Sequence, residues 1–278
     1  SYSVTGVQTC ALPISENKNV PMLRKCYLKV HWAESDFAIL AGQDSDLISR
    51  LVAPTINYTV GWWVGDIGYR RPQLTFSKGF TLDDARLLAE LAAVRTIGDA
   101  SGAASTAPFT PGDTGEDAGF PTVEARLGLT LPLLHEKKKA TLALFGHWGQ
   151  EEYDTNTQGK NETFETWSAG IEADLPVCDM LTFQLNLWTG ANLDAFLGGV
   201  GQGINAARIE EIKSTGGWAA LVAGPFSDFT LTGGAGMDDP DEDDLAAGGQ
   251  SKNLFVFGNA WYAINQAVKA EDRTPSPR

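Results

Sequence analysis

Residues 122–148 read TVEARLGLTLPLLHEKKKATLALFGHW, and their reading decides the fold class. Val123, Ala125, Leu127, Leu129 and Leu131 take one parity; Thr122, Glu124, Arg126, Gly128 and Thr130 take the other. That period of two is the signature of a strand with one apolar and one polar face. His135, Glu136, Lys137, Lys138 and Lys139 make a short charged turn, and beyond it Leu142, Leu144 and Trp148 share a face. A hairpin of this kind fits a barrel with lipid outside and water inside.

The same unit recurs on both sides. Strands are expected at 25–32, 37–40, 71–77, 86–96, 164–173, 181–188, 217–223, 229–235 and 255–264, with another beginning at Ala267. The 86–96 stretch carries Ala, Leu, Glu and Arg, which favour helix by propensity, but its neighbours favour a strand. Residues 98–120, 149–163 and 190–215 read as loops, the last with room for a helical turn at 206–212. Short connections alternate with long ones, as in outer-membrane barrels with tight periplasmic turns and long external loops. The turns at 135–139 and 176–180 then face the periplasm, and the acidic loop at 238–244 faces outside. The expected class is an all-β, antiparallel transmembrane β-barrel. About eleven or twelve strands are present, an even number being required for closure.

Composition agrees. Of 278 residues 43% are hydrophobic, and the 30 glycines, 8 tryptophans and 13 phenylalanines suit turns and interfacial aromatics. No apolar run reaches the ~18 residues of a membrane helix, which leaves barrel strands untouched. The formal charge of −14 argues against a nucleic-acid partner, since phosphate binding needs a basic surface. The densest acid, residues 238–244, reads as a solvated loop or as a calcium loop, although it lacks the glycine of an EF-hand. Cys10, Cys26 and Cys178 show no metal-binding spacing, and their odd number implies no disulfide framework. No cofactor or metal is expected. GxSxG, HExxH, P-loop and dinucleotide fingerprints are all missing, so the chain does not read as an enzyme.

Both ends depart from a complete barrel. Residues 4–14, VTGVQTCALPI, resemble the translation of a short-read sequencing adapter, so 1–14 is expected to be an artefact. Residues 15–270 are expected to be a partial barrel and 271–278 a non-native or disordered tail.

A family resemblance enters through Leu40-Ala41-Gly42-Gln43, Asp46-Leu47-Ile48-Ser49, Asn57-Tyr58 and Asp66-Ile67-Gly68-Tyr69-Arg70-Arg71-Pro72-Gln73. Gly146-His147-Trp148-Gly149-Gln150-Glu151, Gly198-Gly199-Val200-Gly201-Gln202-Gly203 and Trp261-Tyr262-Ala263-Ile264-Asn265 add to it. In this order the motifs resemble bacterial outer-membrane porins of the DcaP-like trimeric group, over about residues 23–268. The resemblance implies a barrel of about sixteen strands. It also implies a homotrimer in outer-membrane lipid, passing small and often anionic solutes. It further implies that the stretch after Gly42-Gln43 folds inward and narrows the pore.

On that basis Gln43, Asp44, Asp46, Arg50, Arg70 and Arg71 are the candidate constriction, with the arginines as cations and Asp44 and Asp46 as their partners. Each is equally compatible with a wall charge in an ion-pair network, and Gln43 with a hydrogen bond to a neighbouring strand. Strand parity makes Lys25, Lys29, Glu124 and Arg126 lumen-facing, along with His31, Arg86 and Glu172. Counted as free charges, Lys25, Lys29, Arg71 and Arg126 outnumber the nearby carboxylates and imply a preference for small anions. The leading expectation is an outer-membrane diffusion porin. The alternative is a soluble or surface β-protein that binds carbohydrate on Trp62, Trp63 and Trp148. The two differ in where Leu127, Leu129, Leu142, Leu144, Leu185 and Leu187 go: to an external band, or to a dry interior.

Overall fold

Alternating side chains build one continuous meander in the computed structural model. The structure describes residues 2–11, 22–56, 58–98, 108–110, 112–135, 137–155 and 160–263, with the backbone alone for 2–11, 22, 23 and 58. The strands are β1 (Tyr2–Ala11), β2 (Met22–Trp32), β3 (Phe37–Ser45), β4 (Arg70–Leu82), β5 (Ala85–Val94), β6 (Thr122–Leu131) and β7 (Ala140–Asp154). They continue as β8 (Asn161–Cys178), β9 (Leu181–Ala191), β10 (Ile204–Asn205), β11 (Glu210–Glu211), β12 (Lys213–Phe226), β13 (Phe229–Pro240) and β14 (Asn253–Tyr262). Twelve of them form one sheet in the order β1-β2-β3-β4-β5-β6-β7-β8-β9-β12-β13-β14, and β10 pairs with β11 as a separate ribbon. All pairings are antiparallel, and each strand of the sheet lies beside its sequence neighbours.

Register keeps the two faces apart across the whole sheet. Leu127 lies opposite Leu144, Leu144 opposite Ile171, and Ile171 opposite Leu187. These four are 41–58% exposed, so they form an outer apolar row and not a core. Leu129, Leu142 and Leu185 stand in the next row of that face, half-buried. The row of opposite parity runs Glu124, His147, Ser168, and those side chains are buried. A soluble sandwich buries its leucines; this sheet buries carboxylates and hydroxyls instead.

The sheet is rolled into a barrel wall. Arg50 reaches Glu90 on β5, while the Pro54 carbonyl accepts from Asn259 on β14. Flat, those two strands would stand about 34 Å apart at ~4.8 Å per strand. Four residues span at most ~14 Å. Only a curled sheet, with residues 46–69 inside the curl, brings β5 and β14 to the same short segment.

Connections sort by end. The connections after β2, β4, β6, β8 and β12 leave one end of the sheet, and those after β3, β5, β7, β9 and β13 leave the other. Glu136 of the charged turn lies outside the described residues. Three expected boundaries move. The loop expected at 149–163 shrinks to 155–160, because β7 and β8 keep pairing from Gln150↔Glu165 to Asp154↔Asn161. There the outer face turns polar, so the apolar alternation fades while the ladder continues. The turn expected at 176–180 is only 179–180, with Pro176 paired to Thr182. The helical turn expected near 206–212 is the β10–β11 ribbon.

The stretch at 86–96 is strand β5, not helix. The strand expected at Ala267 and the tail 271–278 lie outside the described residues. The twelfth described strand is instead β1, whose backbone pairs with β2 from Tyr2↔Trp32 to Ala11↔Met22.

Aromatic side chains mark both limits of the outer apolar face. Trp148 stands opposite Trp167 and 6.4 Å from Phe120, one step before the polar pair Gln150–Glu165. At the turn end Trp32 stacks on Phe37 at 5.6 Å, and Phe229 packs on Tyr262 at 4.7 Å.

Candidate functional site

The 46–69 segment is held against the polar face by main-chain donors that meet buried carboxylates. Leu47 N–H donates to Glu124 Oε2 at 2.6 Å, and Leu51 N–H donates to Glu172 Oε2 at 2.9 Å. Between them Asn186 Nδ2 donates to Ser49 Oγ at 2.7 Å, and Ser49 Oγ donates to Asp66 Oδ1 at 2.9 Å. Trp188 Nε1 donates to the Gly65 carbonyl at 2.8 Å. Gly65 sits at φ +123, and a Cβ there would lie 2.2 Å from the Gly217 carbonyl on β12. Only glycine lets the segment backbone lie that close to the wall.

Each sequence-predicted residue has a definite place. Asp46 and Arg71 form a buried pair, Nε to Oδ1 at 3.1 Å with 1% exposure on both side chains, so they brace the segment and line no open path. Asp46 also accepts from Tyr69 N–H at 2.8 Å. Burial raises its carboxyl above the usual range, with Arg71 opposing. Arg50 is the exposed member of the group and grips both oxygens of Glu90, at 3.0 and 2.9 Å. Arg70 lies over the Tyr69 ring at 5.3 Å, outside the Arg50 cluster. Asp44 pairs with Lys25 at 2.6 Å, and Gln43 donates to the Arg24 carbonyl at 3.1 Å, so both serve the β2–β3 wall. Lys29 is exposed on the same face. Arg126 pairs with Glu172 and stands 3.7 Å from Glu90. The result is a chain of alternating charge: Arg50, Glu90, Arg126, Glu172.

Burial pushes the Asp66 carboxyl up to about 7, while the Ser49 hydroxyl opposes the shift. Asp66 therefore sits near half-ionisation at neutral pH.

Sequence reasoning passed over Glu90 as a partner and read 190–215 as a loop with room for a helical turn at 206–212. Its first part folds inward too. Gly68 N–H donates to the Phe196 carbonyl at 2.7 Å, and Trp63 N–H donates to Leu197 O at 2.8 Å. The Phe196 ring lies between the Arg71 guanidinium, 4.0 Å away, and the His147 ring, 3.9 Å away. Ile48, Ile67, Phe145, Trp188, Leu193, Ala195 and Phe196 form a dry cluster inside the curl. The apolar run Ala195-Phe196-Leu197 within a loop is the signal that could have revealed this.

Two other readings can be tested on geometry. His147 Nδ1 lies 2.6 Å from Ser168 Oγ and Nε2 lies 3.0 Å from Thr166 Oγ1. This Ser–His contact is buried and roofed by Phe196, so a substrate has no approach to it. The tryptophans make no shared platform: Trp62 and Trp63 meet edge-on inside the segment, and Trp148 stands on the outer face. Among the described residues, no group of three or more His, Cys, Asp or Glu side chains is arranged to hold a metal. Asp238, at one end of the acidic run read as a solvated loop or a calcium loop, is instead buried in β13 and accepts from Ser214 Oγ at 2.6 Å.

No family model matches the chain, and no curated protein matches it. Among solved structures, in-vitro folded OmpT, an outer membrane protein of Vibrio cholerae, aligns over 95% of this chain and 85% of that one. The identity is 11% and the TM-score 0.45, a distance at which the likeness carries no functional inference. What stands on this chain's own geometry is an all-β antiparallel barrel wall with an in-folded segment.

Proposed function

We propose that the chain forms the wall and constriction of an outer-membrane channel for passive diffusion of small hydrophilic solutes. One observation carries this reading: the apolar row Leu127–Leu144–Ile171–Leu187 faces outward, while the polar face is folded around residues 46–69. A band of leucines exposed to water is costly at about 25 cal/mol per Å². Lipid removes that cost, and the aromatic pairs at both limits of the band match the two interfaces. No step of bond chemistry is needed. The segment narrows the lumen, and solutes pass along the exposed side of Arg50. Trimer assembly and membership of the DcaP-like group belong to the same proposal and rest on the motifs quoted above.

Liposome swelling tests it. Protein refolded into vesicles should admit small sugars at rates that fall steeply with size. Vesicles that stay impermeable while the protein is folded and inserted would overturn the reading.

A further inference from the structure

We propose that the 192–203 loop holds one calcium ion, with Asn192 Oδ1 and the Asp194 carboxylate as its side-chain ligands. Asn192 follows β9 and is 1% exposed. Its N–H donates to the Ile212 carbonyl at 3.0 Å, and its carbonyl accepts from Thr166 Oγ1 at 2.8 Å. Its Nδ2 donates to Glu151 Oε2 at 2.8 Å. Oδ1 alone has no hydrogen-bond partner, although it is buried. The Glu151 contact fixes which end of the amide is which, since a carboxylate accepts from the NH₂ group and repels a carbonyl oxygen. A buried acceptor left without a partner is costly.

Gly203 shows where that oxygen points. Ile212 N–H donates to the Gly203 carbonyl at 2.8 Å, so Ile212 ties residue 203 beside residue 192. A Cβ on Gly203 would lie 2.3 Å from Asn192 Oδ1 and 2.3 Å from Asp194 Oδ1, with Asp194 Cγ 2.7 Å away. The amide oxygen and the carboxylate therefore converge beside residue 203, where any side chain would press on both. Asp194 is 1% exposed as well.

Two oxygens that share a neighbour at this distance can share one ion, because calcium takes oxygens at ~2.3–2.6 Å. Both donors are hard oxygens, a set that suits calcium, magnesium or manganese and not the softer metals. They stand on an irregular loop, which fits calcium's flexible shell better than magnesium's octahedron. Asp194 is the acidic ligand and Asn192 the neutral one. Main-chain carbonyls and water fill the rest of about six to eight positions. Glu151 is a positioning residue: it orients the amide, and Tyr153 OH donates to it in turn at 3.0 Å.

The ion would lock a turn that the inward segment leans on. Leu197 N–H donates to the Asp194 carbonyl at 3.0 Å, and Gly198 N–H donates to Leu193 O at 2.9 Å. The same turn offers the Phe196 and Leu197 carbonyls to Gly68 and Trp63.

Terbium alone is the probe, added to the whole chain refolded in a non-ionic detergent and cleared with EGTA. Tyr153 donates to the same Glu151 oxygen that receives Asn192 Nδ2, so a bound terbium ion lies within range of its excitation energy. One saturable site per chain is expected, with calcium displacing terbium at roughly 0.1–1 mM and equal magnesium failing to do so. Asp194→Asn should weaken binding about tenfold. D241N/E242Q/D243N, which strips charge from the acidic loop, should leave it unchanged. The parent's urea midpoint should rise in calcium and return in EGTA, a readout that needs no variant to fold. An unchanged midpoint, the result a water molecule at this spot would give, overturns the inference. So does emission that never saturates, emission lost in the triple variant, or unaltered affinity in folded Asp194→Asn. None of these outcomes depends on conductance, so the channel reading stands or falls separately.

Discussion

Two stretches of this chain fold into the same lumen, and they are held there by different forces. The 46–69 segment is held by charge: its N–H groups meet Glu124 and Glu172, its Arg50 meets Glu90, and Asp46 meets Arg71. The 192–202 stretch is held mainly by packing, with Leu193, Ala195 and Phe196 all at most 5% exposed in a cluster with Ile48 and Ile67 of the segment, and it adds hydrogen bonds from Asn192 Nδ2 to Glu151 and from Val200 N–H to Asp238. The contrast has a physical consequence. Hydrogen bonds to buried carboxylates change with protonation, whereas apolar burial does not. Charge anchoring leaves the 46–69 segment adjustable, and the packed 192–202 stretch beside it supplies a fixed support.

Three substitutions can break or sharpen that contrast. The largest effect is expected from Arg71→Met, which leaves the Asp46 carboxylate buried without its partner. Losing one member of such a pair costs about 3–5 kcal/mol. Adding Asp46→Asn to Arg71→Met should restore most of the loss in urea unfolding of the micelle-inserted protein. If the double variant is no better than the single, the pair does not brace the segment.

Phe196→Ala follows, at about 3–4 kcal/mol for a buried aromatic. Its cost should vary with pH less than that of Arg71→Met at neutral and high pH and change only where the His147 imidazole that the ring covers takes up a proton. If the chain conducts as proposed, single-channel recordings should also grow noisier as the 192–202 stretch loosens.

The smallest change is expected from Asp66→Asn, and it is confined to a pH window. Burial raises the folded-state carboxyl from 3.8 to about 7. Between those values the folded chain holds a proton that the unfolded chain has released, so stability falls as pH rises from about 4 through about 7. An amide in place of this carboxyl carries no charge at any of these pH values. The variant should therefore flatten that slope and exceed the parent in melting temperature at pH ~8. Parallel pH profiles for the two proteins would show that Asp66 is not the group responsible.

How far the fold was legible varies along the chain. Strand parity alone placed Glu124, Arg126 and Glu172 on one face and the leucines on the other, because Cβ direction alternates whatever the partner strand. It lost the strands beyond Trp148 and Trp167, where the outer face turns polar and the apolar side chains Tyr153 and Phe164 stand on the inner face instead. It also misjudged Arg71. As a cation next to an inward segment it reads as a pore charge, yet only the fold brings Asp46 and Phe196 against it and seals all three from water. Counting Lys25 as a free charge met the same limit, since the charge was legible but its neutralisation by Asp44 depends on how β2 and β3 align.

Local chemistry in the sequence therefore determined the meander, the apolar outer face and the acidic loop, while the inward segment was implied only by the porin resemblance. Which charges remain available to a passing ion was decided by tertiary structure. Leu47 and Glu124, or Leu51 and Glu172, lie far apart along the chain and meet only because the sheet curls around the segment. Parity is a property of each strand on its own, whereas neutralisation requires two charges within a few ångströms, a distance set by the curl.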